Sequence, residues 1–173
     1  MSLNPIPHIL QPGESAGRKA VLEAGSPLRT DVTVAEALNV LFFAVRDFHT
    51  TFEQPAPSVP TMQTPDLVER RGDWIVEEKE EVAEATTIED QADGYIDGIY
   101  FNLGGLVELG VLPGELLALA HEANMAKRHN VNGVLTVVKN EAGKVLKPVH
   151  WQDPTPAQKA EVRRQQVELP LAV

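Results

Sequence analysis

The amino-acid sequence predicts an all-α protein, a bundle of four to five helices with a short β-hairpin-like extension near the C-terminus. Three observations support this fold class. Apolar residues recur three and four positions apart in several successive segments, which is the spacing of one helix face. Capping residues and prolines stand at the boundaries of these segments. The chain of 173 residues is long enough for one domain to enclose an apolar core.

The N-terminal part of the chain is expected to be irregular. Residues 1–32 contain spaced prolines and glycines and form a predicted N-terminal arm. The first clear helix follows Thr33, because Thr33 and Glu36 have the spacing of a capping box, and its apolar stripe reaches about Phe52. The closely spaced prolines that follow predict an extended linker over residues 53–65.

A very short connection joins the second and third predicted helices. The second helix spans about residues 66–85, and the third spans about residues 88–110. Thr86 and Thr87 are both suitable N-cap residues for the third helix, and Gly110 is a suitable C-terminal stop. Helices joined this closely are expected to lie antiparallel, side by side.

The last third of the chain has a different character. A fourth helix, opened by a proline, is predicted over residues 113–128. Extended segments at 134–138 and 144–146 then predict a small hairpin or a pair of extended segments. Residues 153–173 are polar and are interpreted as a C-terminal tail, either a short helix over 156–168 or a mobile segment.

Negative charge is concentrated in one short stretch. Residues 77–97 contain nine acidic side chains and one lysine, in a protein with a formal net charge of −10. The acids form two sets whose spacings put each set on one face of a helix. The sets are Glu77, Glu78 and Glu81 on the second helix, and Asp90, Asp93 and Asp97 on the third.

Two acidic faces on neighbouring helices repel each other unless a cation lies between them. Mg²⁺ is a hard cation that prefers oxygen ligands, and Mn²⁺ can substitute for it at such ligands. The acids also lack the lysines four residues away that usually accompany a solvated acidic helix. We therefore predict a metal-dependent enzyme that binds Mg²⁺ through these carboxylates.

Alternatives stay open on spacing alone. The acidic faces also suit a non-catalytic helical module that binds a basic partner or a structural Ca²⁺. The set Glu80, Glu81 and Glu84 fits Glu-Glu-x-x-Glu as well as the set that begins at Glu77. A di-iron carboxylate bundle is excluded, because none of the five histidines follows a glutamate at the required spacing of three.

Composition argues against several other classes. The excess of acidic residues disfavours a nucleic-acid-binding surface, which needs a basic patch. No apolar run is long enough to span a membrane, and the N-terminus lacks the pattern of a secretory signal. The absence of cysteine excludes disulfides and thiolate metal sites. We therefore expect a cytoplasmic protein that binds neither nucleic acid nor membrane.

Several motifs follow one another in the region of residues 36–152. They are Val45-x-x-Phe48-His49-x-x-Phe52, Arg71-x-x-Trp74-Ile75-x-Glu77-Glu78-x-x-Glu81, Asp90-x-x-Asp93-Gly-Tyr-Ile-Asp97-Gly-Ile-Tyr100, His121-Glu-Ala-Asn124-Met-x-Lys127 and Gly143-Lys-Val-Leu-Lys-Pro148. In this order they resemble the all-α nucleoside triphosphate pyrophosphohydrolases, the MazG-like and phosphoribosyl-ATP pyrophosphohydrolase-like group. The spacing from Arg71 favours the acidic set that begins at Glu77. Asp90 stands where the family pattern has Glu, and its shorter side chain reaches less far.

The resemblance implies that residues 33–152 form a MazG-like catalytic domain, assembled as a homodimer or a dimer of dimers. It implies Mg²⁺-dependent cleavage of the α–β phosphate bond of a (d)NTP, which gives the (d)NMP and pyrophosphate. The removal of aberrant nucleotides would be a suitable purpose. Phosphoribosyl-ATP is the alternative substrate.

The resemblance also implies roles for individual residues. The carboxylates of both acidic sets hold Mg²⁺, with Glu78, Glu81, Asp93 and Asp97 as the main ligands and Asp90 as a further one. Glu77 binds another ion or acts as the general base. The predicted catalytic residues are thus Glu77, Glu78, Glu81 and Asp97, and the predicted substrate-binding residues are Asn124, Lys127, Lys144 and Lys147. Histidine suits softer metals, so His49 and His121 are expected to be structural or surface groups.

Overall fold

The computed structural model describes residues 33–168 together with residue 171, so the predicted arm at 1–32 lies outside the described residues. The described part forms five helices and one two-stranded hairpin, which confirms the predicted all-α class. In chain order the elements are α1 (Val34–Thr51), α2 (Pro65–Glu84), α3 (Ile88–Leu109), α4 (Gly114–Met125), β1 (His129–Val131), β2 (Val134–Thr136) and α5 (Thr155–Glu168).

Local signals explain where the central helices begin and end. α2 starts with Pro65, whose fixed backbone angle suits the first turn of a helix. The Thr87 side chain accepts a hydrogen bond from the Asp90 N–H at 3.1 Å, so Thr87 rather than Thr86 is the N-cap of α3. Gly110 ends α3 with φ of +64°, and its N–H bonds to the carbonyls of Leu106 and Val107.

The helices pack around a small core. α2 packs against α3, α1 packs against both α3 and α4, and α5 packs against α4. Because residues 85–87 alone connect α2 to α3, these two helices run antiparallel along their length. The buried apolar cluster comprises Phe42, Val45, Leu103, Val107 and Leu171.

The structure contains the predicted pairing in part, together with a hairpin that the sequence analysis does not include. β2 pairs antiparallel with β1, in the register His129 to Thr136, and not with residues 144–146. Asn132 and Gly133 form the turn and both have positive φ, which is the geometry that Asn-Gly favours in a two-residue hairpin loop. The predicted partners 134–138 and 144–146 meet at their ends, where the Leu146 N–H donates to the Val138 carbonyl at 2.8 Å and an antiparallel bridge pairs Lys139 with Val145.

The C-terminal segment forms the helix α5 and docks through amide groups. The buried side chain of Gln165 bonds to both backbone groups of Leu112, accepting from N–H at 2.9 Å and donating to the carbonyl at 3.1 Å. Gln158 donates to the carbonyl of Leu116 at 2.9 Å. None of the described helices has the length and apolar character needed to cross a membrane.

Candidate active site

A glycine brings the two acidic helices into close approach. Gly94 on α3 is buried against α2, and a Cβ atom at this position would lie only 2.7 Å from Val82 Cγ2. The same Cβ would lie 3.4 Å from the backbone oxygen of Glu78. The sequence interpretation overlooked Gly94, although a glycine inside a helix costs about 1 kcal/mol relative to alanine and so indicates a packing requirement.

Glu78 lies at the centre of the acidic surface. It is 8% exposed, and its Oε2 atom is buried without a hydrogen-bond partner in the described residues. Burial is the main cause that raises the pKa of the Glu78 carboxyl, and the neighbouring carboxylates add to it. In order of effect, these neighbours are Glu81, Asp97, Glu77 and Asp93.

Five of the six predicted metal ligands therefore lie close together, since four of them affect the pKa of the fifth, Glu78. Asp90 is not among the charges that act on Glu78, and its backbone N–H forms part of the start of α3. With the side chains as they stand, no three His, Asp or Glu groups in the described part of the chain are close enough together to hold one ion. Side-chain rotation by the exposed acids would be needed to bring their oxygens together around a cation.

The chemistry of this surface fits a hard divalent cation. The orphaned Glu78 oxygen is a buried acceptor, and leaving such a group unpaired costs free energy. A cation would satisfy that oxygen and neutralise the mutual repulsion of the five carboxylates. All of these donors are carboxylate oxygens, which suit Mg²⁺ rather than a softer metal.

A cavity adjoins the acidic surface. Its volume is about 600 Å³, and it lies between α2 and α3, with one leucine each from α1 and α4 in its wall. The wall is mostly apolar, while Glu78, Lys79, Tyr95 and Asn102 supply polar atoms. Glu78 thus lies in a concave region, as expected for a ligand site rather than for a convex solvated face.

The predicted substrate-binding residues lie on another part of the protein. Lys127 follows the end of α4, and its Nζ donates to Oδ1 of Asn124 in the last turn at 2.6 Å. Lys147 Nζ lies 3.6 Å from the centre of the Trp151 ring. Lys144 is exposed beside a turn. Asn124 is on α4, which packs against α1 and α5, whereas the three lysines follow this helix in the chain.

A buried polar cluster fixes the opposite end of the α2–α3 pair. Arg71 Nη2 on α2 donates to Glu108 Oε1 on α3, and Arg71 Nε donates to Oε2 at 3.4 Å. Gln63 Nε2 donates to the same Oε2 at 2.7 Å. The guanidinium also lies 4.9 Å from the centre of the Trp74 ring. Glu108 and Gln63 were not singled out from the sequence, because no local pattern links residues so far apart.

His49 has the structural role that was expected. It is 3% exposed, and Nδ1 donates to the carbonyl of Pro55 at 2.9 Å. Burial lowers the pKa of the His49 ring, and the positive charges of Arg71 and Arg46 act in the same direction. The bond to Pro55 and the charge of Glu108 act against this lowering. The ring thus helps to hold the proline-rich linker against α1.

Comparison with known families agrees with the motifs and the helical fold. The segment from residue 45 to residue 124 matches one family model of the MazG-like all-α NTP pyrophosphohydrolase group. The family model that matches it is that of phosphoribosyl-ATP pyrophosphohydrolase. The match includes both acidic sets and Asn124, and it ends before Lys127. No curated protein matches the chain. The family supports a pyrophosphohydrolase that acts on a nucleotide-like substrate.

Proposed function

We propose that this protein is a Mg²⁺-dependent pyrophosphohydrolase that cleaves the α–β bond of a (d)NTP. One observation carries the proposal: within the matched segment, Glu78 is buried beside a cavity with an unpaired oxygen and four further carboxylates around it. Such a strained cluster of like charges is typical of a functional site. A stabilising surface network would instead pair these acids with lysine or arginine.

Different side chains would have different roles in the proposed reaction. Glu78, Glu81, Asp93 and Asp97 would hold Mg²⁺, with Asp90 as the outermost candidate. When bound, the ion would offset the charge of the triphosphate and polarise the α-phosphoryl group. The exposed Glu77 carboxylate would accept the proton of the attacking water. The water oxygen bonds to the α-phosphorus, the bond to the α–β bridging oxygen breaks, and pyrophosphate leaves with the electron pair.

A second copy of the chain is part of the proposal. Large apolar side chains are exposed on α1 and on α3, including Val40, Leu41, Ile96 and Ile99, and a homodimer or a dimer of dimers would bury them. The basic residues Lys127, Lys144 and Lys147 would then approach the acidic helices of the partner copy and neutralise phosphate oxygens.

Phosphoribosyl-ATP is the second candidate substrate, because the matching family model carries that description. It offers the same triphosphate chemistry, on an adenosine whose base carries an added ribose phosphate. The carboxylate cluster acts on the phosphate chain, so it accommodates either substrate equally well. The cavity beside Glu78 contacts whatever group the phosphate chain carries and is therefore where the two would be distinguished.

The test is release of pyrophosphate from a panel of NTPs, dNTPs and phosphoribosyl-ATP, with Mg²⁺, with Mn²⁺ and with EDTA. We expect release from one or a few (d)NTPs that requires the metal and stops on chelation. Release from phosphoribosyl-ATP alone would select the second candidate. No release from any substrate with either metal would favour the non-catalytic acidic module.

A further inference from the structure

A buried ion pair joins α2 and α3 at the end of the helix pair opposite to the connection at residues 85–87. Arg71 donates two hydrogen bonds to the Glu108 carboxylate, and the two side chains are only 11% and 1% exposed. Gln63 donates a third bond to Glu108. Both charged groups are therefore paired, and Glu108 has partners for both oxygens. A buried pair that is satisfied in this way defines one geometry, because any displacement leaves a charge unpaired.

The Arg71–Glu108 ion pair lies along the same α2–α3 interface as the acidic cluster. Arg71 precedes Glu78 by seven positions, which is close to two full helical turns, so both residues project from the same side of α2. At 1.5 Å per residue they are separated by about 10 Å along the helix. Residues 85–87 join the two helices at the other end. The acidic cluster thus lies between a covalent connection and the ion pair.

The position of α2 depends on its interface with α3, whereas each of the helices α1, α3 and α4 packs against two others. Among the described helices and strands, α2 packs against α3 alone. Asp93 and Asp97 of α3 act on Glu78 of α2 across that single interface, and like charges there push the helices apart. At Gly94 the helices approach closely, and Val82 fits there only because the glycine has no side chain. The Arg71–Glu108 pair opposes the repulsion directly.

We propose that Arg71 and Glu108 are positioning residues that fix the spacing of the two acidic helix faces and thereby set their affinity for a divalent cation. The catalytic consequence rests on the proposed function, whereas the effect on cation binding does not require turnover. A pair with a purely structural role would contribute to the stability of the fold and leave cation affinity of the folded protein unchanged.

The test compares Glu108→Gln with Val107→Ala, well below the Tm of each variant. Val107 is the fully buried neighbour of Glu108 on α3, so its truncation lowers the Tm without touching the ion pair. We expect Mn²⁺ binding, measured by calorimetry, to weaken about tenfold in Glu108→Gln, as for groups that orient metal ligands. Val107→Ala should bind Mn²⁺ like the wild type. Wild-type affinity in folded Glu108→Gln would overturn the proposal.

A milder variant covers the case in which Glu108→Gln does not fold. Gln63→Met removes one of the bonds to Glu108 and keeps the ion pair. It should weaken Mn²⁺ binding in the same direction by a smaller factor, and an unchanged affinity would count against the positioning role. The Mg²⁺ concentration for half-maximal turnover should rise in parallel in both variants.

Spin labels measure the helix spacing itself, because the chain contains no cysteine that would interfere. Asp73→Cys with Asn102→Cys reports the end near the ion pair, and Glu84→Cys with Gln91→Cys reports the connected end. Glu108→Gln should broaden the distance distribution of the first pair and leave the second unchanged. Equal distributions in both would contradict the proposal. A wild-type protein that binds Mn²⁺ but hydrolyses no nucleotide would refute the proposed function alone.

Discussion

Glu78 differs from the acids around it because it alone is buried. Its pKa is raised first by burial and then by four like charges, so ionised Glu78 opposes folding. A protein gains nothing in stability from keeping such a group when a neutral residue would fit. Groups of this kind are typical of functional sites, where they lower the stability of the fold. The residue is therefore where activity and stability are expected to oppose each other.

We predict that Glu78→Gln is more stable than the wild type in metal-free buffer and inactive as an enzyme. The folded pKa lies above the unfolded one, so the folded state binds more protons and wild-type stability falls as pH rises through this interval. The neutral amide removes that loss at pH 7, and the Tm should rise. Pyrophosphate release should drop by more than about 100-fold, because a ligand is lost.

Glu80→Gln is the matched control for this substitution. Glu80 is an exposed acid two residues away on the same helix, and it belongs to the alternative Glu-Glu-x-x-Glu register. Both its Tm and its turnover should stay close to wild type. An active Glu78→Gln enzyme, or an inactive Glu80→Gln enzyme, would show that the register beginning at Glu77 was assigned incorrectly.

At the scale of the elements, the interface between α2 and α3 sets the distance between the two acidic sets and so determines whether they can bind a cation together. Val82 has a β-branched side chain with little rotational freedom, so it cannot turn away from an added Cβ on Gly94. A larger residue would force the helices themselves to move. The separation of the helices is thus set by one missing side chain at the middle and by the Arg71–Glu108 pair at the end.

We predict that Gly94→Ala lowers the Tm and raises the Mg²⁺ concentration needed for half-maximal activity. The new methyl group would lie 2.7 Å from Val82 Cγ2, well inside contact distance. The double variant Gly94→Ala with Val82→Ala should recover much of both properties, since it restores the space. Gly98→Ala is the control, because nothing lies within 4 Å of its Cβ position and alanine favours a helix. An equally destabilised Gly98→Ala would show that the effect of Gly94→Ala does not come from the contact with Val82.

Features with local causes could be predicted from the sequence. The cap at Thr87, the stop at Gly110 and Pro65 at the start of α2 each act within a few residues, so the helix boundaries agree with the structure to within a few positions. The Asn132-Gly133 turn is also a local signal, and it joins β1 to β2 in a hairpin that the sequence analysis does not include.

Features with distant causes could not be predicted in the same way. Arg71 and Glu108 are 37 positions apart, and their pairing depends on the register of two packed helices. α5 has no apolar stripe because it docks through glutamine amides such as Gln165, so its helical state was left open. The residues of the acidic cluster could be predicted from the sequence. That Glu78 is the buried member of the cluster depends on the close approach of α2 and α3 at Gly94.

At the scale of the whole molecule, charge and apolar surface are distributed unevenly. The acids lie on α2 and α3, whereas the positive charges from Lys127 to Lys147 lie after α4, which packs on neither of those helices. Exposed apolar residues occur on α1, on α3 and along the hairpin. Opposite charges on separate surfaces, together with exposed apolar area, favour association of two copies in which one supplies acids and the other supplies lysines.

This arrangement predicts complementation between two inactive variants. One variant is Glu78→Gln, and the other is Lys127→Met with Lys144→Met. If each site takes its acids from one copy and its lysines from the other, a mixed dimer has one intact site and one doubly altered site. Half of the dimers formed at random from equal amounts are mixed, so co-expression should restore about a quarter of wild-type pyrophosphate release. Two different affinity tags would verify that mixed dimers form. If the lysines serve the acids of their own chain, every site in a mixed dimer carries one lesion, and activity no higher than that of the parent variants would rule out the shared site.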